Sequence, residues 1–258
     1  GGLDRLHELG ARRAEAVLWA ADPEFFRPLP VEKVHDVFFY GYGDKFRRDW
    51  MAAMVGEPSR AAPEIEFALG GRDFQGDTGR AWLIGDVPFN AFAQAISQAR
   101  INLNITRRSH ASVFASSSAR PFELAAAAAA IVTNPYEGIE RWFEPGSELC
   151  VVDRVEEAAA AYRELIADPA QAEEMGQRGA RQGLWRRSSS TWPGTRRVAR
   201  RSARLHGMPA QRRSAEARRT AAPPVRTREW VTSVGSSAPP AIAAWLATSG
   251  KKARMMRP

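Results

Sequence analysis

Six short strand-like segments, separated by stretches with helical spacing, constrain this chain more than anything else in it. They lie at 36–40, 64–69, 81–87, 101–105, 130–133 and 149–152. The segment at 36–40 runs continuously apolar after Asp36, the sign of a strand covered on both faces, while 64–69 alternates and ends at Gly70-Gly71. Strands that alternate with helices build a parallel sheet, so the expected class is α/β, a Rossmann-like parallel sheet with helices on both faces. Helices are expected at 45–55, capped by Asp44, and at 89–99, where Phe89, Phe92 and Ile96 share a face. Others are expected at 120–129, at 137–142, at 155–167, and from Asp168-Pro169 onward. Residues 3–20 read as a helix and a short strand at 16–19, and Pro28 and Pro30 mark a linker.

Charge divides the chain. The 258 residues carry a net +8, but residues 184–258 hold 17 Lys or Arg against only Glu216 and Glu229. Residues 1–183 are correspondingly acidic, at −7. The first part reads as globular. The second is rich in Arg, Ser, Ala and Pro without sustained apolar periodicity, and is expected to be a disordered basic tail. The expected organisation is therefore 1–30 as the end of a preceding domain with its linker, 31–183 as the Rossmann-like domain, and 184–258 as tail. The single cysteine, Cys150, excludes an intrachain disulfide. No apolar run approaches the roughly 20 residues of a membrane span. No membrane span and a cytoplasmic setting are expected.

In open parallel sheets, ligands bind where the carboxyl ends of strands run into helices. That rule selects the loops at 41–44, 106–120 and 134–138. Arg120 stands before a helix opened by Pro121, whose first turn should offer free N–H groups and partial positive charge. Arg107 and Arg108, in the loop after the strand at 101–105, read either as a solvated pair or as cations that neutralise a bound anion. Gly41 and Gly43 would let the backbone approach a ligand. Tyr136 is placed either to stack on a base or to pack beside a turn, and Glu137 and Gly138 follow it. His110 reads as loop filler, and Lys45 and Arg47 as a solvated helix face. Asp73, Asp77 and Asp86 have no coordinating spacing, so no metal is expected, nor any cofactor.

The order Ile101-Asn102-Leu103-Asn104, Arg120-Pro121-Phe122-Glu123, Asn134-Pro135-Tyr136-Glu137-Gly138 and Phe143-Glu144-Pro145-Gly146-Ser147-Glu148 resembles the donor-binding half of the CgeB-like glycosyltransferases, the spore-maturation group of GT-B enzymes. The resemblance spans about residues 30–182. It implies a nucleotide-diphosphate sugar as donor, an unidentified acceptor, and Glu123 on the donor's ribose hydroxyls. Glu123 also suits its own helix start, where acids are favoured in any case. Many related transferases carry another Glu eight residues earlier, where this chain has Ala115. No residue of this segment reads as the catalytic base.

Three readings compete for the basic tail. It binds nucleic acid or an anionic surface through charge, it is an extension without a partner, or it is the product of a shifted reading frame. The abrupt loss of acids after Gln182 favours the third. The alternative function, a binding protein acting through this tail, lacks any aromatic–basic stacking motif to support it.

Overall fold

The computed structural model describes residues 3–14 and 20–189. The strand expected at 16–19 and the tail beyond residue 189 lie outside these residues.

All six expected strands form, and all pair in parallel. They are β1 (His35–Tyr42), β2 (Phe67–Arg72), β3 (Trp82–Gly85), β4 (Ala99–Asn104), β5 (Ala130–Thr133) and β6 (Cys150–Val151). Their order is β3-β2-β1-β4-β5-β6. The strand order therefore reverses between β1 and β4, and the crevice beyond their carboxyl ends is the place where such a sheet takes a ligand. β2 starts three residues later than the sequence suggests. Its pairing with β1 continues through Gly70 and Gly71 instead of stopping there, and Gly41 lies opposite Gly71.

Alternation along the strands sorts the core into two layers. Phe38 and Ile131 face one side, packed with Ile96 of α4 (Phe92–Ser97) and Leu124 of α6 (Arg120–Ala126). Val37, Phe39, Leu103 and Val132 face the other, against α2 (Arg48–Met51), α7 (Val155–Ala167) and α8 (Pro169–Ser189). A fully buried side chain such as Leu103 or Ile131 contributes about 1.5–3 kcal/mol. The linker also joins the core, because Ala21 and Phe26 are buried with Val87 and Phe92. Part of the segment expected to belong to a preceding domain thus packs on this one. The first helix, α1 (Leu3–Glu8), buries no residue. No helix among the described residues is long and apolar enough to cross a membrane.

The helix expected at 45–55 begins later and runs further. Asp44 does not cap it. Its Oδ1 accepts from Phe46 N–H at 3.0 Å, and helix α2 starts only at Arg48. From α2 the chain passes through a π-helical turn, Ala52–Gly56, into α3 (Glu57–Ala61). Pro58 accounts for the π turn. Proline offers no N–H to the carbonyl four residues back, which is that of Met54, and its ring crowds that oxygen. The hydroxyl of Tyr162 on α7 donates to the Met54 oxygen at 2.8 Å instead. Tyr162 is fully buried, and burial raises its hydroxyl pKa, so it stays a neutral donor. Tyr162→Phe is expected to lower stability by about 1–3 kcal/mol, read from urea unfolding, because the Met54 carbonyl is left buried without a partner.

Candidate active site at the carboxyl edge of the sheet

A buried polar network fixes the ends of β4 and β5. Asn104 Nδ2 donates to Thr133 Oγ1 at 2.9 Å and to Thr106 Oγ1 at 3.3 Å. Asn134 Oδ1 accepts from Thr106 N–H at 2.7 Å, and Asn134 Nδ2 donates to the Pro135 carbonyl. Asn104, Thr106, Thr133 and Asn134 are all buried. Buried polar groups that satisfy one another in this way hold a single geometry, and here they set the departure of two of the three ligand-side loops.

Arg47 does the same for the switch point. Its Nε donates to the Ile105 carbonyl at 2.6 Å and its Nη1 to the Tyr42 carbonyl at 2.8 Å. The guanidinium thus bridges the chain leaving β4 and the last residue of β1. Only 14% of the side chain is exposed, which corrects its reading as part of a solvated helix face. Burial, followed by the positive field of Arg107, lowers its pKa to about 10, so its charge persists at neutral pH. The field of Arg120 also reaches it. Lys45, by contrast, is exposed, as expected.

The other predicted arginines separate. Arg107 Nη2 lies 2.8 Å from Asp44 Oδ2, at the same edge. Arg108 is exposed at the start of a four-residue helix, α5 (Arg108–Ala111). Arg120 Nη1 binds Glu123 Oε2 at 2.7 Å. Its guanidinium also lies 4.5 Å from the ring centre of Phe92 and 5.3 Å from that of Tyr40. Such contacts, with the ion pair, hold both charged groups in place. Burial lowers the Arg120 pKa, and the Glu123 carboxylate opposes the shift. An open hollow of about 180 Å³ faces the pair, walled by Phe26, Tyr40, Val87, Phe89 and Phe92.

Several expectations need correction. The start of α6 is not a reserve of free amides. Pro121 has no N–H, and the N–H groups of Phe122 and Glu123 both donate to the Ala119 carbonyl. Gly43 is buried, and a Cβ there would lie 2.7 Å from Phe74 Cα. Gly41 lies within β1, and a Cβ there would meet the Phe39 ring at 3.1 Å. At both glycines the space a Cβ would need is taken by neighbouring residues of the fold.

Tyr136 is 6% exposed among core residues, so its ring is not presented to a base. Gly138 adopts φ +75°, and a Cβ there would sit 2.6 Å from Ala115 N. Glu137 is exposed, while its backbone pairs with Ala111 and Ala115. These two residues therefore dock one loop onto another. Asp77 pairs with Arg60, and Asp86 pairs with Arg72, the last residue of β2, further along the carboxyl edge beside β3. Among the described residues no three His, Cys, Asp or Glu side chains gather as a metal site.

A larger hollow, about 390 Å³, opens at the amino ends of β4 and β5, beside Lys33, Ala99 and Ala130. Lys33 Nζ is already held by the carbonyls of Ser97 and Ala99, at 2.8 Å each. Size alone would favour this hollow. Topology and the gathering of charged groups favour the opposite edge.

Comparison with known proteins agrees with that choice of fold. A sucrose-phosphate synthase from Thermosynechococcus elongatus superposes with TM-score 0.54 at 15% identity, over 70% of this chain and 51% of that one. The T4 phage BGT, solved in complex with its UDP-glucose substrate, matches with TM-score 0.54 at 17% identity, over 64% of this chain and 48% of that one. Anabaena HepE, solved in complex with UDP-glucose, matches with TM-score 0.52 at 11% identity, over 65% and 51%. The chain thus spans about half the length of these structures, and what they share with it is the Rossmann-like fold of GT-B glycosyltransferases. No curated protein sequence matches it. The model of one family, described as glycosyl transferase-like, matches residues 47–192, more than half of the chain, and the chain belongs to that family.

Proposed function

We propose that residues 31–183 are the donor-binding half of a CgeB-like glycosyltransferase, acting in the cytoplasm on a nucleoside-diphosphate sugar. One observation carries the reading. Three guanidinium groups, Arg47, Arg107 and Arg120, and the carboxylate of Glu123 converge on the carboxyl edge of the sheet where strand order reverses. An anion flanked by arginines and a diol facing a fixed carboxylate describe a ribose diphosphate. Arg120 occupies one oxygen of Glu123. The other oxygen remains for ribose hydroxyls, and the aromatic hollow beside it takes the adjoining nucleoside.

Arg107, with Arg108 at the rim, faces the diphosphate. Its role in transfer is to stabilise the charge that builds on the departing nucleoside diphosphate as the sugar's anomeric bond breaks. The hollow is smaller than the roughly 300–1,000 Å³ of complete small-molecule sites. It therefore forms one wall of a cleft whose other wall brings the acceptor and the base. The UDP-glucose complexes among the similar structures make UDP-glucose the first donor to test.

Calorimetric titration of the full chain with UDP, GDP and their sugars tests the proposal. Glu123→Ala is expected to weaken nucleotide binding about 10- to 100-fold, the loss of hydrogen bonds to a charged acceptor. Glu123→Gln, which keeps the shape, should fall between the two. Failure of the unaltered protein to bind any of these nucleotides would remove the assignment.

A further inference from the structure

The acidic residue at this cationic edge is unexpected. Asp44 Oδ2 lies 2.8 Å from Arg107 Nη2 and 4.0 Å from Arg47 Nη1. Its other oxygen accepts from Phe46 N–H. A carboxylate therefore stands against two of the three cations that are to receive a diphosphate. Its negative charge would repel an arriving anion if it stayed in place.

The pairing it makes is also incomplete. Arg107 Nε is buried and has no hydrogen-bond acceptor among the described residues. In its present position the guanidinium is thus only partly satisfied, whereas Arg47 is anchored through two carbonyls. Of the two, Arg107 is the one with reason to change partner. Asp44 is 22% exposed and is held on its other side by one backbone bond within a turn, so it too can swing away.

We infer that Asp44 is an internal counter-ion that holds the phosphate position and is displaced from Arg107 when a diphosphate arrives. The inference rests on the donor-site reading above. Carboxylate and phosphate oxygens offer a guanidinium the same kind of charged acceptor. The arginines are thus kept paired in the absence of ligand. An anion must outcompete a tethered carboxylate, which favours a diphosphate over weaker anions. Once the sugar has left, Asp44 can retake Arg107 and help expel the nucleoside diphosphate.

The simpler role, a clamp that merely orients Arg107, predicts the opposite sign. The test is calorimetric titration of the full chain with inorganic pyrophosphate and with UDP. Asp44→Asn keeps the oxygen that accepts from Phe46 N–H and removes the charge. It is expected to bind pyrophosphate about three- to tenfold more tightly than the unaltered protein, the scale of a partly exposed ion pair. Asp44→Ser, whose hydroxyl can also accept from Phe46 N–H, must change affinity in the same direction. Adding Arg107→Gln to Asp44→Asn must abolish the gain. Equal or weaker binding by both Asp44 variants, while the unaltered protein binds, overturns the counter-ion and leaves the donor site standing. If the unaltered protein and both variants bind neither pyrophosphate nor UDP, the donor-site reading falls and the counter-ion with it.

Discussion

Replacing Arg47 with methionine is expected to destabilise the domain by about 2–3 kcal/mol and to weaken nucleotide binding about tenfold. Methionine keeps an apolar stem for the largely buried path of the side chain. It removes the donors to Tyr42 O and Ile105 O, and the two carbonyls then compete for whatever water can reach them. The carboxyl ends of the flanking strands lose their bridge, and the edge loses one of the three arginines that converge on the proposed donor site. Arg47→Lys separates the two effects, since an ammonium keeps the charge but lacks the planar fork that spans both carbonyls. It should recover more of the binding than of the stability. Urea midpoints and nucleotide titrations read the two quantities independently. Unchanged midpoints in both variants would return Arg47 to the solvated helix face that its sequence context suggests.

Gly138→Ala should be more disruptive than the size of a methyl group implies. At φ +75° any residue with a Cβ is strained, and this Cβ would stand 2.6 Å from Ala115 N and 2.9 Å from Ala115 Cα. Ala115 is itself at φ +54° and accepts a hydrogen bond from the Trp142 indole through its carbonyl, so it has little freedom to retreat. Left-handed strain and overpacking together are expected to cost about 2–4 kcal/mol. The two loops should separate, and nucleotide affinity should fall with them. Calorimetric melting shows the first and titration the second. A variant that melts and binds like the parent would show that the loops are not docked through this glycine.

The sheet was legible because short apolar or alternating segments recur between stretches of helical spacing, and each of the six marks a strand. The ends of elements were less so. β2 runs through two glycines that look like a stop, because pairing with β1 continues where side chains are absent. The helix after β1 starts late because Asp44 forms a turn with Phe46, and it runs on through a π turn forced by Pro58. The positions of Glu123, Arg120 and Arg107 at the carboxyl edge follow from their places beside strand and helix ends.

Arg47 was not readable, since nothing local distinguishes an arginine that bridges two strands from one that points into water. The glycines misled for a related reason. Their freedom serves contacts with Phe39, Phe74 and Ala115, which are distant in sequence or set by the fold. Asn104 and Asn134 stood in the motifs that carried the family resemblance, and Thr133 lay just before the second of them. Only the folded chain shows that they bond to one another.

That network has a practical consequence. The turn after β4 and the turn after β5 share buried hydrogen bonds through Thr106 and Asn134, and they meet again where Glu137 pairs with Ala111 and Ala115. Transplanting either one alone from another scaffold would strand half of these partners. Anyone re-engineering this rim must move both segments as one cassette, with their asparagines and Gly138 included.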